Sequence, residues 1–184
     1  MPKIFNNIKD DILNATRKML LETGYSRLNM RNIATYCGIA TGTLYNYYNS
    51  KQEIVMEVLD SEWKMMLRRM DQGIKSDIDT VERLGIIYNE LSVLMKDVHN
   101  FWVDSHLSID DSELRSIKKH KEVLIKGLWE RIFSLIKECG KDRDLEFLAD
   151  VICKLFISYS YQQNVSYERL KPIMTSLIYN GQHS

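Results

Sequence analysis

Residues 33–51 read Ile33-Ala34-Thr35-Tyr36-Cys37-Gly38-Ile39-Ala40-Thr41-Gly42-Thr43-Leu44-Tyr45-Asn46-Tyr47-Tyr48-Asn49-Ser50-Lys51. The opening part has the apolar spacing of a short helix with one buried face. Gly38 stands where a tight turn needs a positive φ. The part that follows carries hydroxyls, an amide and tyrosines before a closing lysine. An apolar-faced helix, a glycine-marked turn and a polar second helix make a helix-turn-helix, whose second helix enters the DNA major groove.

On the N-terminal side, Ile8, Ile12, Ala15 and Met19 recur at helical steps and Leu20 widens their stripe. They predict an amphipathic helix over about 6–23, stopped by Gly24. Asn29 is a suitable N-cap for a helix over 30–37 that buries Met30, Ile33, Ala34 and Cys37. The next helix, over 41–47, is only about seven residues and so about 10 Å long. That length suits end-on docking in a groove about 12 Å wide.

On the C-terminal side, Asn49 or Ser50 can cap a helix from Lys51 towards Ile74, with Ile54, Val58, Trp63, Met66 and Met70 on or near its inner side. Further helices are predicted over 77–98, 99–108 (a shorter one), 113–139, 144–161 and from Ser166 to about Asn180. Gly140 ends the long one, and Pro172 falls early in the last. In the helix opened by Asp144, the expected inner side is Leu148, Val151, Ile152, Leu155 and Tyr159. No stretch alternates with the period of a strand. The expected fold is all-α: a three-helix helix-turn-helix DNA-binding head at 1–51, and a helical body at 52–184. The boundary falls within the fourth helix, without a flexible linker.

Composition agrees. The 184 residues are 45% hydrophobic, enough for a packed core, and the two prolines, Pro2 and Pro172, leave a long interior free to be helical. The formal charge is zero, with 25 basic and 25 acidic side chains. From Met1 to Lys51, however, seven bases face three acids, a net +4; the remaining 18 bases face 22 acids, a net −4. A basic head on an acidic body is the asymmetry of a nucleic-acid-binding segment carried by a different kind of domain. Cys37, Cys139 and Cys153 form no CxxC pair, so neither a disulfide framework nor a zinc knuckle is expected. With no signal peptide and no apolar run long enough for a membrane span, the expected location is the cytoplasm, with no membrane partner.

No GxSxG, phosphate-cradling glycine loop, HExxH or Cys/His pair at a telling spacing is found, so neither an enzyme nor a cofactor is expected. His99 and His106 stand two helical turns apart, too far to hold one metal ion unaided; a site would need Asp104 or Asp110 as well, a solvated or core role is the default, and no metal site is expected.

Over about 12–59 the sequence resembles the TetR/AcrR family of transcriptional regulators. The resemblance rests on Gly24-Tyr25, Ile33-Ala34, Gly38-Ile39, Gly42-Thr43-Leu44-Tyr45, Tyr48 and Ser50-Lys51. Two positions depart from the family pattern. Ala40 replaces the usual serine that caps the recognition helix, and Tyr48 replaces a phenylalanine. Beyond about Trp63 the resemblance is architectural. It implies a homodimer on a palindromic double-stranded operator, acting as a repressor and released by a small-molecule effector in the helical body. The alternative is a DNA-binding regulator without such an effector, controlled by a protein partner or architectural.

The resemblance places Thr41, Gly42 and Thr43 at the groove-facing start of the recognition helix. Small side chains let the backbone approach, and hydroxyls and methyls suit base edges. Tyr45 and Asn46 follow on the exposed side, and Asn suits adenine. Tyr47 and Lys51 match phosphate-contacting positions. Arg31 matches one that reaches a base, with Arg27 and Asn29 as phosphate contacts. For an effector cavity, Trp63, Met66, Tyr88, Leu91, Met95, Trp102, Trp129 and Phe133 supply aromatic and adaptable apolar surface, as they would an ordinary core. Phe147, Phe156, Ile157 and Tyr161 lie off the expected inner stripe and are the expected dimer contacts.

Overall fold

The computed structural model describes residues 8–102, 111–139 and 144–179; side chains at 100–102, 111–121, 123 and 124 lie outside the description. The helices are α1 (Ile8–Thr23), α2 (Met30–Cys37), α3 (Thr41–Tyr45), α4 (Lys51–Gly73), α5 (Thr80–Trp102), α6 (Asp111–Lys137), α7 (Leu145–Gln162) and α8 (Tyr167–Tyr179). Among the described residues there is no strand. The all-α expectation holds. The separate short helix expected from His99 does not begin there, because α5 continues through Trp102; residues 103–110 lie outside the described residues, with Asp104, His106 and Asp110 among them. Gly140 lies outside them too.

The chain divides into two compact units. One runs through Glu62 and takes in a stretch starting at Asp97; the other begins at Trp63. Helix α4 contributes residues to both.

In the first unit α1 packs on α2 and α2 on α3. Ile12, Leu20, Tyr25, Leu28, Ile33, Ala34, Leu44, Tyr48, Ile54 and Val58 form its buried core. Helix α2 is held at both ends. The Asn29 side chain accepts from the Asn32 N–H at 2.9 Å, and the Asn32 side chain accepts from the Asn29 N–H at 2.9 Å. This reciprocal arrangement satisfies two otherwise orphaned donors. Gly38 ends the helix at φ 70°, the left-handed region where a side chain costs energy. Helix α3 is poorer in local support. It has five residues, and Ala40 offers no side-chain cap. It ends two residues before the expected Tyr47, because the Asn46 N–H is shared between the carbonyls of Gly42 and Thr43 and the last turn tightens.

In the second unit α6 packs along α7. Its core includes Met66, Leu84, Ile87, Tyr88, Leu91, Leu128, Ile132, Ile152, Phe156, Leu170 and Met174. Arg131 pairs bidentately with Asp71, at 2.7 and 2.6 Å, and Arg69 meets Glu90 at 2.6 Å. These pairs join the end of α4 to α6 and α5. Pro172 sits at the sixth position of α8 and leaves it unbroken.

One glycine in this unit is there for space. A Cβ on Gly85 would lie 2.6 and 2.7 Å from two ring carbons of Tyr167. That ring cannot retreat easily: its hydroxyl donates to the Val81 carbonyl, and it packs against Tyr88 and Phe156. Alanine gains about 1 kcal/mol of helix propensity at such a site but overpacking costs about 1–3 kcal/mol. Gly85→Ala is therefore expected to lower the urea-unfolding free energy by about 1 kcal/mol. A gain of similar size would mean that the ring does not close over α5.

The dimer expectation needs one correction. Phe156 has no exposed surface and packs edge-on to Tyr88, ring centroids 5.2 Å apart. It belongs to the core of its own chain. The buried side of α7 is Ala149, Ile152, Cys153, Phe156 and Ser160. Each lies one residue after an expected inner position, a rotation of about 100° about the helix axis. Phe147 and Tyr161 are exposed, at 64% and 60%, and Ile157 is half-buried.

Candidate nucleic-acid interface

Helix α3 sorts its side chains by direction. Leu44 and the following Tyr48 are buried, at 0% and 1% exposure, and anchor the segment. Tyr45 and Tyr47 are exposed, at 53% and 43%, together with Gly42 and Asn46, while Thr41 and Thr43 are half-buried. The residues of this segment expected to face DNA thus reach solvent, whereas Leu44 and Tyr48 do not. The Tyr48 ring packs as a phenylalanine would, and burial pushes its phenol well above the usual tyrosine range, so it stays neutral.

Arg27, Asn29 and Arg31 are exposed, in the turn before α2 and in its first turn. The Asn29 side-chain oxygen is taken up as a helix cap, so the amide NH₂ is the part left to meet a phosphate.

Lys51 departs from its expected direction. Its Nζ donates to the carbonyls of Leu28, at 2.9 Å, and Tyr25, at 3.3 Å, and lies 4.2 Å from the centre of the Tyr25 ring. Partial burial lowers its pKa. The start of α4 is capped by its neighbours instead: Ser50 accepts from the Glu53 N–H, and Glu53 accepts from the Asn49 N–H at 2.7 Å.

Several features were not anticipated. The Asn32 Nδ2 donates to the Arg27 carbonyl at 2.8 Å. An Asn at each end of the Asn29-x-x-Asn32 spacing was the available signal, since it varies the usual capping box. Lys18 lies 5.8 Å from the centre of the exposed Tyr36 ring, and a hydrogen bond with Tyr36 raises its pKa. Lys9 pairs with Glu57 at 2.7 Å, and Arg17 pairs with the buried Glu62, tying α1 to α4 within this unit. No sequence signal marks these long-range pairs.

Of the residues expected around an effector, Trp63, Met66, Tyr88 and Leu91 are buried and Met95, Trp129 and Phe133 half-buried. Trp129 and Phe133 stack with centroids 4.9 Å apart. The side chain of Trp102 lies outside the described residues. The Trp63 indole N–H is buried and meets no acceptor among the described residues. Among those residues no group of His, Cys, Asp or Glu is placed to hold a metal ion, and no helix is long and apolar enough to cross a membrane.

Residues 12–58 match the family described as bacterial regulatory proteins, tetR family. Over that stretch, which is the helix-turn-helix segment, the chain is similar to the TetR family. The fatty acid metabolism regulator protein of Bacillus subtilis is 26% identical over 113 residues, covering 61% of this chain and 58% of that protein. The matched stretch is thus less than two thirds of the relative's own length. Two solved structures share the fold of this chain. The transcriptional regulator FadR from Bacillus subtilis, in complex with stearoyl-CoA, is 21% identical, with a TM-score of 0.65 over 92% of this chain and 97% of that one. A transcriptional regulator from Cytophaga hutchinsonii is 20% identical, with a TM-score of 0.72 over 91% and 92%. These relatives are regulators, not enzymes.

Proposed function

We propose that the chain acts as a homodimeric repressor that binds a palindromic DNA operator and releases it when a long-chain acyl-CoA enters the helical body. The observation that carries the DNA-binding half is the sorting of α3, with Leu44 and Tyr48 inward and Tyr45, Asn46 and Tyr47 outward. Thr41, Gly42 and Thr43 complete the base-reading surface, and Arg27, Asn29 and Arg31 supply flanking contacts. One helix of this length reads too few bases for a specific site, and a two-fold dimer placing two such helices in successive major grooves supplies the rest. Phe147 and Tyr161, with half-buried Val151, Leu155 and Ile157 on α7, offer an apolar face for that dimer.

The effector half draws on the fatty-acid-related relatives named above and on the body's aromatic and methionine-rich interior. The buried indole N–H of Trp63 supplies a donor for a polar ligand atom. Occupation of the body would favour a different placement of α4, which contributes to both units, and so a different spacing of the recognition helices.

The test starts from a random-sequence duplex pool enriched on the purified protein. Stearoyl-CoA, free coenzyme A and stearate are then titrated into the resulting complex. Release by stearoyl-CoA alone is the expected result. A duplex that no acyl-CoA displaces would leave a DNA-binding regulator controlled in another way.

A further inference from the structure

We propose that Lys51 is a positioning residue: it acts on DNA through the turn that carries Arg27, not through a phosphate contact of its own. This rests on the DNA-binding reading and assigns one of its parts.

The turn between α1 and α2 is closed by the Leu28 N–H donating to the Tyr25 carbonyl at 3.1 Å. Its peptide groups are then bound from two sides. Lys51 takes the Tyr25 and Leu28 carbonyls from the first turn of α4. Asn32 takes the Arg27 carbonyl from the first turn of α2 and accepts from the Asn29 N–H. The Arg27 backbone is therefore fixed to two helices while its side chain is exposed.

The Lys51 ammonium is matched to this place. Two of its three N–H groups are spent on carbonyls, and the Tyr25 ring face covers it. Among the described residues it pairs with no carboxylate, so the carbonyl dipoles and the ring offset its desolvation. With two N–H groups held by carbonyls and the Tyr25 ring over it, an ammonium that swung out to a phosphate would strand two carbonyls at the turn. Arg27 has no such cost, and its forked guanidinium suits a phosphate better than a point charge does.

The experiment uses the full chain and the enriched duplex described above. Affinity is measured by fluorescence anisotropy between 50 and 200 mM salt for wild type, Lys51→Met, Arg27→Ala and the double variant. Methionine keeps the length of the lysine stem and removes its donors; Lys51→Gln, which retains an N–H donor, serves if the methionine variant does not fold. Arg27→Ala is expected to weaken binding about tenfold and to reduce the salt slope by about 0.9, the loss of one phosphate contact. Lys51→Met is expected to reproduce part or all of both effects. The double variant should then match Arg27→Ala alone.

A further fall of about 0.9 in slope in the double variant would overturn the proposal in favour of a direct phosphate contact. So would a Lys51→Met protein that melts lower but binds with unchanged affinity and slope, since the residue would then be merely structural. Failure to enrich any duplex with wild-type protein would remove the DNA-binding reading itself, and this proposal with it.

Discussion

Phe156→Ala is expected to lower the stability of the chain by about 3–5 kcal/mol, the range for emptying a fully buried aromatic site. The side chain has no exposed surface and fills the space between Tyr88 and Tyr167, at centroid distances of 5.2 and 6.2 Å. Neither neighbour can collapse into the gap freely, because each is tied by its hydroxyl: Tyr88 donates to the Val165 carbonyl and Tyr167 to the Val81 carbonyl. For a chain of this size the thermal midpoint should fall by roughly 10 °C. That fall should not depend on protein concentration. Phe147→Ala, at a site that is 64% exposed, should behave in the opposite way. Its effect should lie in association, seen by sedimentation, and any shift in midpoint should vanish as concentration rises. A Phe156→Ala protein with an unchanged midpoint and a weakened dimer would return this residue to the interface.

The second large effect contrasts two adjacent residues of α3. Leu44→Ala should cost about 2–5 kcal/mol because it opens a cavity in the head. Tyr45→Ala should change stability by no more than about 0.5 kcal/mol, since the ring is largely in solvent. On the enriched duplex, Tyr45→Ala should nonetheless weaken binding by about tenfold or more, the size of one good contact at a nucleic-acid surface. Leu44→Ala should lose binding in proportion to the unfolded fraction of the head. Denaturation and anisotropy on the same samples separate the two. If Tyr45→Ala bound the duplex as wild type does, the outward face of α3 would not be the DNA-facing one.

How far the sequence could be read followed from how each residue is held. Helix α2 has its predicted ends because its stops are local: Asn29 caps one end and Gly38 turns the other. The sorting of Leu44 and Tyr48 from Tyr45 and Tyr47 was also legible, because a short polar helix has little choice of inner face. Helix α7 was misread by one position except at Ile152, which was expected inside and is buried. It is apolar on several sides, and its buried stripe includes the small residues Ala149, Cys153 and Ser160, so large side chains gave the wrong face. Lys51 shows a different limit. Its position in the motif was legible, but the direction of its ammonium depends on carbonyls 23 and 26 residues earlier in the chain.

The unequal support of the two helices of the motif has a kinetic side. Helix α2 is capped at both ends and buries Ile33, Ala34 and Cys37. Helix α3 has five residues, no side-chain cap, and one buried side chain of its own, Leu44. So short a helix has no stability in isolation. Its order is lent by the packing of Leu44 and Tyr48, and its amides should open to solvent at a lower free energy than those of α2. The segment proposed to read DNA should thus loosen before α2 does. An operator that binds it would protect those amides from exchange while leaving α2 nearly as protected as before.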